Sequence, residues 1–363
     1  MGIKIARVKL KPVGRLSRAS VLIWRTVQLV TWLAGVAILF SLTFYPSIGL
    51  LAFWNVLIPA APVLLVVFTG LWRNICPLAT TTLLPRHLGL SGRKTVSQKK
   101  SGVFNFVAVI VLFVVVPLRH AIFNTNGLAT AILIIGLTAC GVAVGFVYEW
   151  KSAWCSGLCP IHPVEKLYGG NVIASVPNLH CDLCCNCVAP CPDSTHNIDP
   201  AHVTKSHPHR RSGPFFTGCL PGFIWGWFHV PDQRQIHSLY ELVKVYEMPF
   251  LGMAVTFALY LILQKIVNHK YETYLTSFFA ASAVSCYYWY RLPELFGFGH
   301  YSKDGLLVNL KDIVPAPAIS SFAVAAVLFF FYWMLFREKN RKSWLVRPAF
   351  AKKSELKRQR TIV

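Results

Sequence analysis

The sequence predicts an all-α polytopic membrane protein of seven or eight transmembrane helices, and three observations carry that expectation. Its 363 residues are 55% hydrophobic and 14% charged, where a soluble globular protein carries about 25% charged residues. The apolar residues fall in long unbroken runs, as helices that cross a bilayer require. The formal charge is +22, and its excess sits at the two ends and in one loop. The first 20 residues hold six Lys/Arg and no acid, residues 73–100 hold another six and no acid, and the tail from Arg337 holds ten basic residues and two acidic ones. Beside apolar spans such clusters mark the cytoplasmic face and meet anionic lipid. Nucleic acid would also attract them, but lipid accounts for them and no nucleic-acid partner is expected.

In chain order, residues 1–25 are a basic cytoplasmic N-terminus. The apolar stretch behind it exceeds a signal-peptide core and shows no small-residue cleavage site, so it reads as a first span. Transmembrane helices 1–4 occupy 26–150, with spans near 26–45, 48–72, 103–123 and 128–150 and a basic cytoplasmic loop at 73–102. Pro59 and Pro62 should kink the second span. Basic flanks place the start of span 1 and the end of span 2 inside. Spans 3 and 4 form a hairpin that returns there, which makes 151–211 cytoplasmic too. The C-terminal transmembrane helices fall within 212–336, with clear spans near 248–267, 274–290 and 321–336. Residues 212–231 carry no formal charge and are rich in Phe and Trp, but Pro221 and Gly222 interrupt them. They read as a kinked span or as a segment lying in the interface. Seven spans would leave the basic tail, 337–363, outside. Counting 212–231 as an eighth returns it to the cytoplasm, and eight is preferred.

The 151–211 segment carries the chemistry. Cys181, Cys184, Cys187 and Cys191 stand at C-x2-C-x2-C-x3-C with Pro192 directly after, the bacterial ferredoxin run that ligates a 4Fe–4S cluster through iron. A small ferredoxin-like iron–sulfur loop on the cytoplasmic face is therefore expected. Structural zinc sites set two C-x2-C pairs a dozen or more residues apart, so zinc fits poorly. Cys185 lies inside the run but out of its register and reads as a buried or spare thiol. Cluster ligands must be reduced thiols, which again points to the cytoplasm. Just past span 4, Cys155 and Cys159 form C-x3-C-P with Pro160. Just past span 2 stands Cys76-Pro77, with Trp72 where a matching motif would have its first Cys. With Cys219 these thiols bring the total to eight, the number two cubane clusters require, and ligands could interchange between the sets. The alternative is that Cys76, Cys155, Cys159 and Cys219 are small buried hydrophobes or a dithiol. Cys140 and Cys286, inside spans, read as packing.

His120, beside Arg119 near the outer end of span 3, is either a haem or quinone partner or, more commonly for such a residue, locally bonded. His207 and His209 are either metal ligands or part of a solvated basic loop. Arg25, Arg119 and Arg291 lie near span ends, which gives a transporter with ionisable groups at mid-membrane little support. No nucleotide-binding or hydrolytic motif is present and no catalytic residue is assigned.

Apolar helices ending in C-x3-C-P, followed by a ferredoxin run, resemble the polyferredoxin-like membrane proteins of the NapH, NosR and CcoG type. The resemblance covers 72–192, with the first C-x3-C-P half lost at Trp72 and one ferredoxin run where several relatives have two. It implies quinol oxidation, electron supply or copper reduction at the bacterial inner membrane. The expectation is an electron-transfer component rather than a stand-alone enzyme. It would pass electrons between a membrane donor, quinol foremost, and a partner redox protein. The alternatives are an electron-supplying reductase or maturation factor for a metal centre, and a transporter with a structural or sensory cluster.

Overall fold

The architecture is that of a computed structural model, which describes residues 17–94, 96–149, 151–180, 207–232, 238–301, 305–337 and 344–346. Helix α1 (Arg18–Phe44) starts at Ser17, whose hydroxyl accepts the Ser20 N–H. After a corner at Tyr45 come α2 (Pro46–Leu50), a wide helical turn over Leu51–Leu57 and α3 (Ile58–Ile75). Short helices α4 (Pro77–Thr81) and α5 (Leu84–His87) follow Cys76. Helices α6 (Gln98–Val115) and α7 (Gly127–Val147) are capped by the side chains of Ser97 and Asn126. A wide turn over Lys151–Leu158 leads to α8 (His162–Tyr168). The helices end with α9 (His207–Trp227), α10 (Leu239–Lys244), α11 (Glu247–Ile266), α12 (Glu272–Leu295) and α13 (Ala316–Phe331). Strands β1 (Val176–Pro177) and β2 (Leu345–Val346) pair in parallel.

Among the described residues, five helical stretches are long and apolar enough to cross a membrane: Arg18–Phe44, Pro46–Thr81, Gly127–Val147, Leu239–Ile266 and Ala316–Phe336. They expose large apolar side chains such as Leu29, Leu33, Ile132, Ile135, Leu259, Ile262 and Leu328. Water would penalise such a surface, whereas lipid solvates it. The chain is thus an all-α membrane protein.

Helix α9 covers most of 212–231. It is one helix of 21 residues despite Pro214 and Pro221, about 31 Å long. Phe216, Cys219, Leu220 and Phe223 are all buried in the main core, against Val109, Phe113, Ala280 and Val284. Its closest partner is α11. A Cβ at Gly222 would overlap the Gly252 carbonyl, and a Cβ at Gly252 would overlap that of Gly222. Close backbone approach through small residues is how helices associate in lipid, where burying apolar surface gains nothing. The segment is packed among the other helices of the bundle. Beside Pro221, Thr256 Oγ1 accepts the Gly222 N–H at 3.2 Å.

Helix α3 is where the expected kink differs. Pro59 sits in its first turn, where a missing N–H is harmless. The Tyr288 hydroxyl inserts just beyond, donating to Pro59 O at 2.6 Å and accepting the Val63 N–H at 3.1 Å. The residue that leaves helical geometry is Phe68 (φ −147°, ψ 51°). There Val67 O accepts the N–H of Ile173, a loop residue, at 3.0 Å. The kink thus admits the segment after α8 into the side of the helix.

The basic loop folds back over the end of α7. Gly92 and Lys94 donate their N–H groups to Phe146 O and Val147 O, and Arg86 pairs with buried Glu149 at 3.9 Å.

Candidate functional site

The site begins at the end of α3. Cys76 is the residue at which the helix stops, with extended backbone (φ −60°, ψ 119°), and Pro77 starts α4. Proline cannot continue the hydrogen-bond ladder, so a Cys-Pro pair turns the chain at the thiol. Cys155 lies in the wide turn after α7, and Cys159 follows it with its N–H on Trp154 O at 2.9 Å. Cys76 and Cys155 pack on the same pair, Ala79 and Leu83. Cys76, Cys155 and Cys159 lie near enough to feel one another's charge. The half-lost first C-x3-C-P and the complete second one therefore lie close together, although about 80 residues separate them.

Burial dominates the electrostatics here. It pushes the Cys155 thiol well above its ordinary range and the Cys159 thiol up to about 12, with Glu165 adding to the rise at Cys159. The Arg73 guanidinium opposes both shifts. Arg73 is itself buried. It donates to Cys155 O at 3.1 Å and Ser156 Oγ at 3.2 Å and pairs with the Glu165 carboxylate. His162 is buried beside them and donates from Nδ1 to Glu165 Oε2 at 3.4 Å. Burial holds its imidazole down to about 4; Glu165 pulls the other way and Arg73 adds to the fall.

The ferredoxin run, Cys181, Cys184, Cys187 and Cys191, lies outside the described residues, as does Cys185. The chain leading to it is described. Asn74, two residues before Cys76, donates from Nδ2 to Pro177 O at 3.0 Å and accepts the Leu179 N–H on Oδ1 at 3.3 Å. Gln28 of α1 donates to Asn74 O at 3.0 Å and to its Oδ1 at 2.9 Å, and lies 3.5 Å from His180 Nε2. Asn74, Gln28 and His180 are all buried. The residue before Cys181 is thus anchored beside Cys76.

Cys219 is placed elsewhere. It sits 1% exposed among Phe216, Leu220 and Phe223 in the main core, so its surroundings are those of a small hydrophobe. Cys286 is half-buried, while Cys140 is exposed on α7 rather than packed. His207 and His209 open α9. The soft donor set at Cys76, Cys155 and Cys159 suits iron or another thiophilic metal in kind. Among the described residues no group of three or more His, Cys, Asp or Glu side chains converges to hold an ion. A complete ligand set would need thiols from 181–191.

A second polar centre occupies the opposite end of the bundle. Arg119 is 3% exposed, its guanidinium 5.1 Å from the Trp54 ring and 4.9 Å from the Trp227 ring. Two of its nitrogens donate to Asn124 Oδ1 at 3.3 Å, and Asn124 Nδ2 donates to Asp232. His120, also buried, pairs through Nδ1 with Asp232 Oδ1 at 2.6 Å. Arg291, fully buried, donates to Glu294 at 2.9 Å, Trp54 O at 2.8 Å and Asn55 Oδ1 at 2.7 Å. Arg119 and Arg291, expected near span ends, are both buried and paired. Sequence reasoning assigned Asp232 and Glu294 no role. The available signal was parity, since a traversing 212–231 places Asp232 at the same end as His120.

Comparison of the chain with protein-family models, with curated proteins and with solved structures gives no match.

Proposed function

We propose that this protein is an integral-membrane iron–sulfur electron-transfer component of the NapH, NosR and CcoG type. The carrying observation is the packing of Cys76 and Cys155 on Ala79 and Leu83, with Cys159 four residues on, beside the anchored residues that lead to Cys181. Under this reading Cys181, Cys184, Cys187 and Cys191 supply the first 4Fe–4S cluster. Cys76, Cys155 and Cys159 supply three ligands of a second, and Cys219, the eighth thiol, is the candidate for its fourth, the weakest by its setting in the core, with ligands interchanging between the sets. When bound, the clusters supply one-electron redox chemistry between membrane quinol and a partner redox protein. Around them Arg73 holds a fixed positive charge against the Cys155 carbonyl and Glu165 balances it. Eight spans are the matching topology, with the cysteine end and both termini in the cytoplasm of a bacterial inner membrane.

Anaerobically purified protein should contain about eight iron and eight acid-labile sulfide for two clusters, or about four of each for one. Zinc in place of iron would sink the reading. Cys184→Ser should abolish or shift the EPR signal of the reduced cluster, while Cys185→Ser leaves it in place. Equal loss in both would show the ligand register to be wrong.

The second polar centre favours a different reading, a transporter whose cluster is structural or sensory, because buried ionisable groups in membrane bundles mark ion or proton paths. In vesicles holding the protein and a pH dye, an imposed proton gradient would then decay faster than in empty vesicles, and Asp232→Asn would abolish the difference. Equal decay with and without protein rejects this reading. A reductase or maturation factor for a metal centre would need an accessible metal site, for which His207 and His209 are the candidates.

A further inference from the structure

We infer that Trp344, in the tail beyond the last apolar helix, is a positioning residue that clamps the approach to the cysteine run; the inference rests on the iron–sulfur reading for its role and on the geometry for its existence. Trp344 is buried although it lies in an otherwise basic tail. Its indole Nε1 donates to Gly169 O at 2.7 Å, and its carbonyl accepts the Val176 N–H at 3.2 Å. The next residues continue the contact as β2, pairing Leu345 with Val176 and Val346 with Pro177. Pro177 is also the residue whose carbonyl Asn74 holds, so the clamp and the Asn74 anchor act on one short stretch. Three residues after Pro177 the chain reaches His180, and then Cys181.

The same indole reaches the other half of the site. It lies 5.7 Å from the Arg73 guanidinium and 4.6 Å from Lys166 Nζ. Arg73 donates to the Cys155 carbonyl, so Trp344 covers a cation held beside that cysteine. Helix α3 is shaped to receive it. Past the kink at Phe68, a Cβ at Gly70 would overlap the Trp344 carbonyl oxygen. A second grip lies just upstream in the tail. Trp333 Nε1 donates to Asn171 O at 3.0 Å, and Arg337 Nη1 donates to the same oxygen at 3.3 Å. The segment 169–177 is therefore held on one side by α3 and on the other by the chain's last described residues. Removing the indole frees the approach to Cys181 and opens Arg73 to water without touching a single thiol.

The test uses the full-length protein with Trp344→Ala, Trp344→Phe and, as a control at the other end of the bundle, Trp289→Ala. Iron loss to a chelator should be about tenfold faster in Trp344→Ala, the scale on which partners behind metal ligands act. Trp344→Phe keeps a ring over Arg73 and Lys166 but loses the bond to Gly169, and should fall between. In iron-free protein, alkylation of Cys76, Cys155 and Cys159, read residue by residue by mass spectrometry, should accelerate in the same order. Trp289→Ala should match wild type in both measurements. Wild-type rates of iron loss and alkylation in Trp344→Ala would overturn the clamp. So would equal acceleration in Trp289→Ala, which would mean general loosening. A wild-type protein that never holds iron would sink the iron–sulfur reading alone, because the alkylation arm still decides the clamp.

Discussion

At the scale of single residues, burial outweighs formal charge around the thiols. His162 shows this with a sign that can be checked. Its folded value lies near 4 against an ordinary 6.5, so below 6.5 the unfolded chain binds a proton that the folded one refuses. Stability from this residue is complete above 6.5 and is lost as pH falls toward 4. At pH 5 the loss is about 2 kcal/mol, from roughly 1.4 kcal/mol per unit over 1.5 units. Thermal unfolding in detergent should therefore show a drop in Tm between pH 7 and pH 5 that His162→Asn makes shallower. Equal slopes in the two proteins would remove His162 from the account. Cys155 and Cys159 carry the opposite constraint: their protons are held tightly, and a metal must displace them. Loading should accordingly release protons, measurable as acidification of a weakly buffered sample.

At the scale of elements, α9 stays helical where the sequence suggests a break, and α3 bends where it does not. In α9, Pro221 and Gly222 look like a break, yet Gly218, Gly222 and Gly226 stand four residues apart and line one face. Gly222 meets the backbone of α11 at Gly252, and Gly226 meets it at Met248 and Pro249. The glycines are the seam between two helices, and that spacing was legible in the sequence as a small-residue pattern. Gly222→Val should destabilise by about 1–3 kcal/mol through overpacking, whereas Gly136→Val, where nothing lies within reach, should be far milder. Comparable losses at both positions would show that helix propensity, not the seam, sets the cost. In α3 the kink is at Phe68 rather than at a proline, and no local signal marks it. It exists because Ile173 and Trp344 come from elsewhere in the chain to occupy it.

At the scale of the whole molecule, the long helices alternate in direction. Cys76 ends α3 at the same end where α1 starts and where the residues after α13 bind Asn171 and Gly169. Arg119, Asp232 and Arg291 gather at the other end. The proposed topology puts both termini at the cysteine end, which would require an even number of crossings. A reporter fused after Val363 should be active only in the form that works in the cytoplasm. Activity of a periplasmic reporter there would mean an odd count and would exclude α9 as a span.

Membrane character, the approximate helices and the spacing of the ferredoxin run are local properties, written in composition and in intervals of a few residues. These the sequence by itself determined, because a bilayer demands long apolar helices wherever they fall and the cysteine intervals are written in the chain itself. The meeting of Cys76 with Cys155, the exclusion of Cys219 into the core, the pairing of His120 with Asp232 and the return of Trp344 to Gly169 were decided only by tertiary structure. Each joins residues far apart in the chain, and each depends on which face of a helix turns inward. An apolar run in a membrane protein hides that choice, because lipid and core reward the same side chains.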